Sequence, residues 1–331
     1  MACPFLRNPV NISAQIVRRA LRRERVFRDR QDPIAFPDSY LYERYRFSAE
    51  GILYLCKLLE PHITNVTRRS HALTVTQMVC IALRFFASGT YLYAIVDAEH
   101  LGKNTVCRTI RKVVLALQGY LNSFIVFPGF LSTLSIKEGF YKIAGFPRVI
   151  GAIDCTHVAI STALGDHEAD YVNRKSFHSL NIQMTCDHEC MITSLDAKWP
   201  GSVHDSRIFR LFDGVLVGDR GYACQRFLLT PYPDPQTRSQ NWFNVALSKT
   251  RVKVEMTFGI LKARFNCLRH LSPERASQIV AACAILHNIA TIRKERVPAL
   301  NQLLPDEIDP ITLDHPAGAA VREAITTQYF T

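Results

Sequence analysis

The sequence predicts an α/β fold behind an all-helical N-terminal region, and three observations predict it. From residue 47 to 145 apolar residues recur at helical spacing. At VIGAI, residues 149 to 153, the pattern becomes continuously apolar, as in a strand buried on both faces. SLNIQMTCD then alternates, with Leu180, Ile182, Met184 and Cys186 on one side and Asn181, Gln183, Thr185 and Asp187 on the other.

The helical stretch opens with Leu53, Leu55, Leu58 and Leu59, followed by TVTQMVCIALRFFASG ending on Gly89 and YLYAIVDAEHLG ending on Gly102. The longer helix KNTVCRTIRKVVLALQGYL begins with Lys103, Asn104 and Thr105 and carries Arg108, Arg111 and Lys112. Two short helices before a basic longer one have the layout of a helix-turn-helix, in which Lys103, Asn104 and Arg108 would meet DNA. A small helical bundle with polar caps fits the same pattern. After VIGAI, the alternating segment and CMITSLDA read as a half-buried hairpin, SVHDSRIFRLF as a crossover helix from Ser202, and VLVGD as a second continuously apolar strand. The chain divides into a basic arm (1–46), a helix-turn-helix-like region (47–145), an α/β domain (146–294) and an acidic tail (295–331).

With 331 residues and 48 % apolar composition, the chain can bury one large core or two ordinary ones. The net charge is +11 and unevenly placed, with seven arginines between Arg18 and Arg30, Arg18, Arg19, Arg22 and Arg23 among them. A basic body with an acidic tail points to a polyanionic partner, nucleic acid being the commonest. For the arm itself, a solvated face, an import signal and direct DNA contact all remain open. Ten cysteines are scattered without a CxxC pair, as expected of a reduced intracellular chain. Zinc at CDHEC lacks a second ligand pair. No apolar run approaches the roughly 20 residues of a membrane helix, so no membrane partner is expected.

The informative residue is Asp154, a carboxylate ending an otherwise apolar run. A buried, unpaired Asp is costly, so a cation should face it. A right-handed crossover returns VLVGD parallel to VIGAID, which brings Asp154 and Asp219 out side by side at the carboxyl edge of the sheet. Adjacent carboxylates repel unless a cation sits between them, and hard divalent ions such as Mg²⁺ or Mn²⁺ take oxygen ligands. A third acid, Glu255, lies on the helix RVKVEMTFGILKARF beside the stripe Val254, Phe258, Leu261 and Phe265. Arg251 and Lys262 fall on nearly the same face as Glu255. An ordinary surface pair accounts for Arg251 and Glu255 but not for the two preceding acids. Asp205, three residues after Ser202, has the spacing of a capping box.

GAIDCTH, WPGSVHDSRIF, GDRGY, RxxxExxFGxLKxRF and LHN, in this order, resemble the catalytic region of the PIF/Harbinger transposases and the nuclease-like proteins derived from them. The likeness covers about residues 145 to 290, with weaker similarity through the N-terminal helices. It implies an RNase H-like DDE fold, a mixed sheet with flanking helices. The implied metal-binding triad is Asp154, Asp219 and Glu255, acting in metal-dependent cutting and joining of DNA. Arg251 and Lys262 would hold the phosphodiester, and Arg174 and Lys175 would lie near the active edge, where a solvated loop fits equally. Asp219, which ends a strand beside Asp154, is preferred as second acid over Asp205, which begins a helix and stays an auxiliary ligand. Ser248 stands where related bacterial transposases carry Tyr, and Met256 where many family members carry Arg. The resemblance further implies a separate Myb-like DNA-binding partner, a nuclear or partly cytoplasmic location and a homo-oligomer. Three rivals remain: a domesticated relative that binds DNA or protein without turnover, a purely structural DNA-binding protein, and a dehalogenase-type phosphohydrolase, which would want Asp where Thr156 stands.

Overall fold

The computed structural model describes residues 32–65, 72–90, 92–99, 101–161, 171–173, 176–197, 214–269, 271–299 and 314–331. The arginines of the N-terminal arm (Arg18, Arg19, Arg22 and Arg23), Arg174, Lys175, the crossover segment and Asp205 lie outside them. The chain divides into units Met1–Asp32 and Pro33–Thr331, and the elements that follow belong to the second.

Among the described residues, six α-helices lie in the first part of this unit: α1 Asp38–Tyr45, α2 Ala49–Ile63, α3 Val75–Ser88, α4 Leu92–Glu99, α5 Lys103–Gln118 and the short α6 Leu121–Phe124. Local chemistry sets their ends. Ser48 caps α2 by accepting from the Gly51 N–H, and Thr74 with Gln77 closes a reciprocal capping box on α3. Gly89 terminates α3 at φ +61°, a left-handed conformation that glycine adopts without a Cβ clash. In α5, Val106, Ile110, Val113 and Leu117 are buried, whereas Lys103, Asn104, Arg108 and Arg111 are exposed. Lys112 is engaged elsewhere: its Nζ donates to the Ile63 and Thr64 carbonyls at 2.6 and 3.2 Å, satisfying the C-terminal end of α2.

Helix α7 (Thr133–Ala144) leads into a five-stranded mixed sheet of order β3-β2-β1-β4-β5, with β1 Val149–Ala159, β2 Ser179–Cys186, β3 Ile192–Asp196, β4 Val215–Val217 and β5 Leu228–Leu229. Strands β1, β2 and β3 are antiparallel neighbours, while β4 runs parallel to β1 and to β5. This is an α/β arrangement consistent with an RNase H-like core. One part of the expectation fails: β2 is not half-buried. Gln183, Thr185 and Asp187 on its polar side are buried, because Gln183 bonds to Tyr222 and Thr185 to Thr193, and Asp187 is held by the turn that follows.

The face of β1 bearing Ala152, Asp154, Thr156 and Val158 pairs in register with Cys186, Met184, Ile182 and Leu180. Helix α8, Arg238–Arg264, meets that face. At 27 residues α8 is about 40 Å long. It starts at a second capping box, Thr237 with Gln240, and buries Val254, Phe258 and Leu261 in the main core. On the opposite face a smaller cluster forms from Ile150, Ile153, Leu216 and Leu228 against Phe127, Tyr222 and Phe227.

Helix α9 (Pro273–Ile292) carries the LHN motif into the core, where Asn288 accepts from the Ile192 N–H at 2.9 Å and donates to the Ile192 and Phe124 carbonyls at 2.7 Å each. The region read as an acidic tail contains a docked helix, α10 Pro316–Tyr329. Its buried Arg322 pairs with Asp314 at 2.6 Å, and Glu323 accepts from the Tyr232 hydroxyl at 2.8 Å.

Candidate active site

Parallel pairing of β1 with β4 aligns Gly151 with Leu216 and Ala152 with Val217. Two residues further along come Asp154 and Asp219, so the register brings the two acids together where β4 ends; Asp219 lies just beyond the last residue of β4, whereas Asp154, expected to end its strand, lies within β1, which runs on to Ala159. Asp219 Oδ1 accepts from the Gly221 N–H at 3.1 Å, which closes the tight turn of GDRGY. The intervening Arg220 points into the loop beyond, donating to the Tyr232 carbonyl and, at 2.8 Å, to that of Pro233.

Asp154 is held on both oxygens. Oδ1 accepts from the Cys155 N–H and Oδ2 from Arg251 Nη2, each at 2.8 Å. Its pKa is pushed up to about 6, first by burial and then by repulsion from Asp219; the Arg251 charge and the Cys155 N–H pull the other way without cancelling the desolvation. The cation that the sequence demanded opposite Asp154 is therefore present within the chain.

Arg251 and Glu255 lie one turn apart on α8, and the same Nη2 that meets Asp154 is 3.5 Å from Glu255 Oε1. Arg251 and Asp154 are each only 16 % exposed, against 49 % for Glu255. Three turns along the helix from Arg251, Lys262 donates from Nζ to Thr156 Oγ1 at 2.6 Å. Two charge-assisted bonds thus clasp α8 to β1, one on each side of Cys155.

Behind Asp154, on the other face of β1, Cys155 Sγ lies 3.1 Å from the Tyr222 hydroxyl, which also accepts from Gln183 Nε2 at 3.0 Å. Burial pushes the Cys155 thiol up to about 11 and raises the Tyr222 phenol as well, so both are neutral at physiological pH. This support was not singled out from the sequence. Its signals were present: Gln183 on an alternating strand and the final Tyr of GDRGY are polar groups in apolar surroundings.

Among the described residues, no three His, Cys, Asp or Glu side chains already converge as a metal-binding group. The donor set nevertheless fits a hard divalent cation, because Asp154 and Asp219 are close enough to repel and Glu255 shares a guanidinium with Asp154. Cys186 and Cys190 are buried free thiols and form no such group with Asp187 or His188.

Of the residues expected to meet DNA, Lys103, Asn104 and Arg108 line the exposed side of α5, where Lys103 Nζ also lies 4.4 Å from the Tyr93 ring centre. Arg251 and Lys262 are turned to β1. Phe243 is core, whereas Trp242 is exposed with the Arg238 guanidinium 4.5 Å over its ring.

A family model for the DDE superfamily endonucleases matches residues 153–288, a span that contains Asp154, Asp219 and Glu255. The human protein HARBI1, whose name carries the word nuclease, is 35 % identical over 272 residues, or 76 % of this chain and 78 % of its own length. The chain belongs to the Harbinger transposase-derived nuclease family. A Xenopus laevis member of the family is 33 % identical over the same length, and the Arabidopsis thaliana protein named ALP1-like is 25 % identical over 301 residues, 80 % of this chain and 72 % of its own. No solved structure matches. This is a transposase-derived nuclease of the DDE superfamily, and DNA is the substrate that membership implies. Among the described residues, no helix is long and apolar enough to cross a membrane.

Proposed function

We propose that this chain is a divalent-metal-dependent DNA endonuclease that cuts and joins transposon-end DNA, or a domesticated nuclease derived from such an enzyme. The observation that carries the reading is the parallel register of β1 and β4, which delivers Asp154 and Asp219 to one edge beside the helix bearing Glu255.

Asp154, Asp219 and Glu255 would hold Mg²⁺ or Mn²⁺, with Asp205 as auxiliary ligand. A bound pair of ions supplies activation of the attacking water or 3′-hydroxyl and stabilisation of the leaving oxygen. The chain's own residues prepare that chemistry. The Cys155 N–H holds Oδ1 of Asp154, so its carboxylate is oriented in advance. The Tyr222, Cys155 and Gln183 cluster stiffens the strand behind it. Arg251 and Lys262 place two cations along the edge where a phosphodiester approaches.

The basic arm with Arg18, Arg19, Arg22 and Arg23, together with Arg174, Lys175 and the exposed Lys103, Asn104 and Arg108, supplies contacts to the DNA backbone and ends. A separate Myb-like protein, a nuclear location and a homo-oligomer complete the proposal. The test is incubation of the purified full chain with supercoiled DNA and Mg²⁺ or Mn²⁺. Nicking by the parent protein, and its loss in D219N and E255Q variants that unfold at the parent temperature, are expected. Undiminished DNA binding with no nicking under either metal would instead establish a domesticated binding protein.

A further inference from the structure

Arg251 is placed unlike a phosphate-binding arginine at rest. Its Nη2 lies between the carboxylates of Asp154 and Glu255, 2.8 Å from one and 3.5 Å from the other, and its side chain is 84 % buried, the complement of its 16 % exposure. Its Nε is buried without a hydrogen-bond partner. The guanidinium is therefore drawn inward to the acids rather than outward to solvent.

We infer that Arg251 is an internal competitor for the divalent cation and sets how tightly the acids bind it. The inference rests on the metal-dependent reading above. Shared lone pairs and like charge set the guanidinium against a metal ion. Oδ2 of Asp154 accepts from a cation at hydrogen-bonding distance, and the same cation faces Glu255 across one helical turn. A metal ion bound by both acids needs those oxygens, and a guanidinium a few ångströms away repels it. Loading therefore requires Arg251 to yield Asp154, Glu255 or both.

A guanidinium does not yield by giving up its charge, so Arg251 has to move or exchange partners. A guanidinium displaced from Asp154 has a flat, multi-donor face to offer the substrate phosphate. The same side chain then serves two anions in turn, the acids before loading and the phosphodiester after it. Lys262, three turns further along, meets the hydroxyl of Thr156 through its Nζ.

The experiment is isothermal titration of Mn²⁺ into the EDTA-treated full chain, comparing the parent with R251Q, R251K and D154N, with thermal unfolding recorded for each. R251Q is expected to bind Mn²⁺ about tenfold more tightly while losing nicking activity. R251K, which keeps the charge but not the flat geometry, should fall between the parent and R251Q. Should R251Q fail to fold, R251K decides alone: affinity above the parent's supports competition, and affinity equal or lower overturns it. Weaker or unchanged binding by a folded R251Q likewise overturns the inference and makes Arg251 a positioning residue for Asp154. If D154N binds Mn²⁺ as the parent does, the metal-site reading itself fails, whatever Arg251 does.

Discussion

Asp154 and Asn288 are both polar side chains set among apolar neighbours, both within short motifs, yet their surroundings differ in one respect. Asn288 makes three bonds to backbone groups of β3 and α6, and all of them close inside the protein. Asp154 meets a charged side chain, an arginine shared with Glu255, and sits beside a second carboxylate that repels it. The first is a satisfied structural knot. The second is a charge cluster whose bonds can be exchanged for a ligand's. Buried polar residues in a motif therefore separate by whether their bonds end on the backbone or on other ionisable side chains.

Substitution should break the comparison in opposite directions. In D154N the fold is expected to persist, because Asn keeps the shape and can still accept from the Cys155 N–H. Nicking per folded molecule should fall by more than the ~100-fold that loss of a ligand's supporting partner costs. Plasmid nicking at fixed Mn²⁺, with circular dichroism as the control, measures both. Asn288→Ala should do the reverse, destabilising the protein by about 3 kcal/mol through the orphaned Ile192 and Phe124 groups. Urea unfolding gives that value, and activity scaled to the folded fraction should match the parent. An N288A protein that is fully stable but inactive would move LHN into the catalytic machinery.

Much of this contrast was legible in the sequence. The continuous runs VIGAI and VLVGD predicted two buried strands, and the handedness of crossover connections predicted their parallel pairing, which the register confirms. Periodicity placed Val254, Phe258 and Leu261 on the buried side of one helix, although α8 begins at Arg238, well before the motif that revealed it. Two things could not be read. Alternation in β2 suggested one wet face, but Gln183, Thr185 and Asp187 are buried because each finds a partner outside β2, in Tyr222, in Thr193 of β3 and in the turn that follows, and single-strand patterning carries no information about such partners. Likewise the spacing of Arg251 and Lys262 gave their common side of the helix. It did not show that one turns to Asp154 and the other to Thr156, since that depends on where α8 crosses β1.

His287, beside Asn288, sharpens the comparison through pH. Its Nε2 donates to the Cys190 carbonyl at 2.8 Å while Nδ1 is buried without a partner, and burial lowers its pKa from 6.5 to about 4. The unfolded chain therefore takes up a proton near pH 6.5 that the folded chain refuses until about pH 4. Stability from this group is fully present above pH 6.5 and is lost as the pH falls, by about 3 kcal/mol at pH 4. In His287→Gln, which can still donate to Cys190, that slope should vanish from urea midpoints measured between pH 7 and pH 4. An identical pH dependence in the two proteins would show that His287 does not carry it.

The smallest expected effect tests whether the support behind Asp154 belongs with the structural knot or with the site. Tyr222→Phe keeps the ring against Ile150, Ile153, Leu216 and Leu228 but removes the hydroxyl that meets Cys155 Sγ and Gln183 Nε2. The loss should cost about 1 kcal/mol, since the neutral bonds of the hydroxyl to Cys155 and Gln183 go. If the cluster is only packing, nicking per folded molecule and Mn²⁺ affinity both stay at the parent level. If it fixes the stretch of β1 that carries Asp154, nicking falls several-fold at saturating Mn²⁺ while the DNA dissociation constant is unchanged, because the residue touches neither phosphate nor metal. The expected result is the second: Cys155 is the neighbour whose N–H orients Asp154 Oδ1, so slack on one side of the strand is transmitted to the carboxylate on the other.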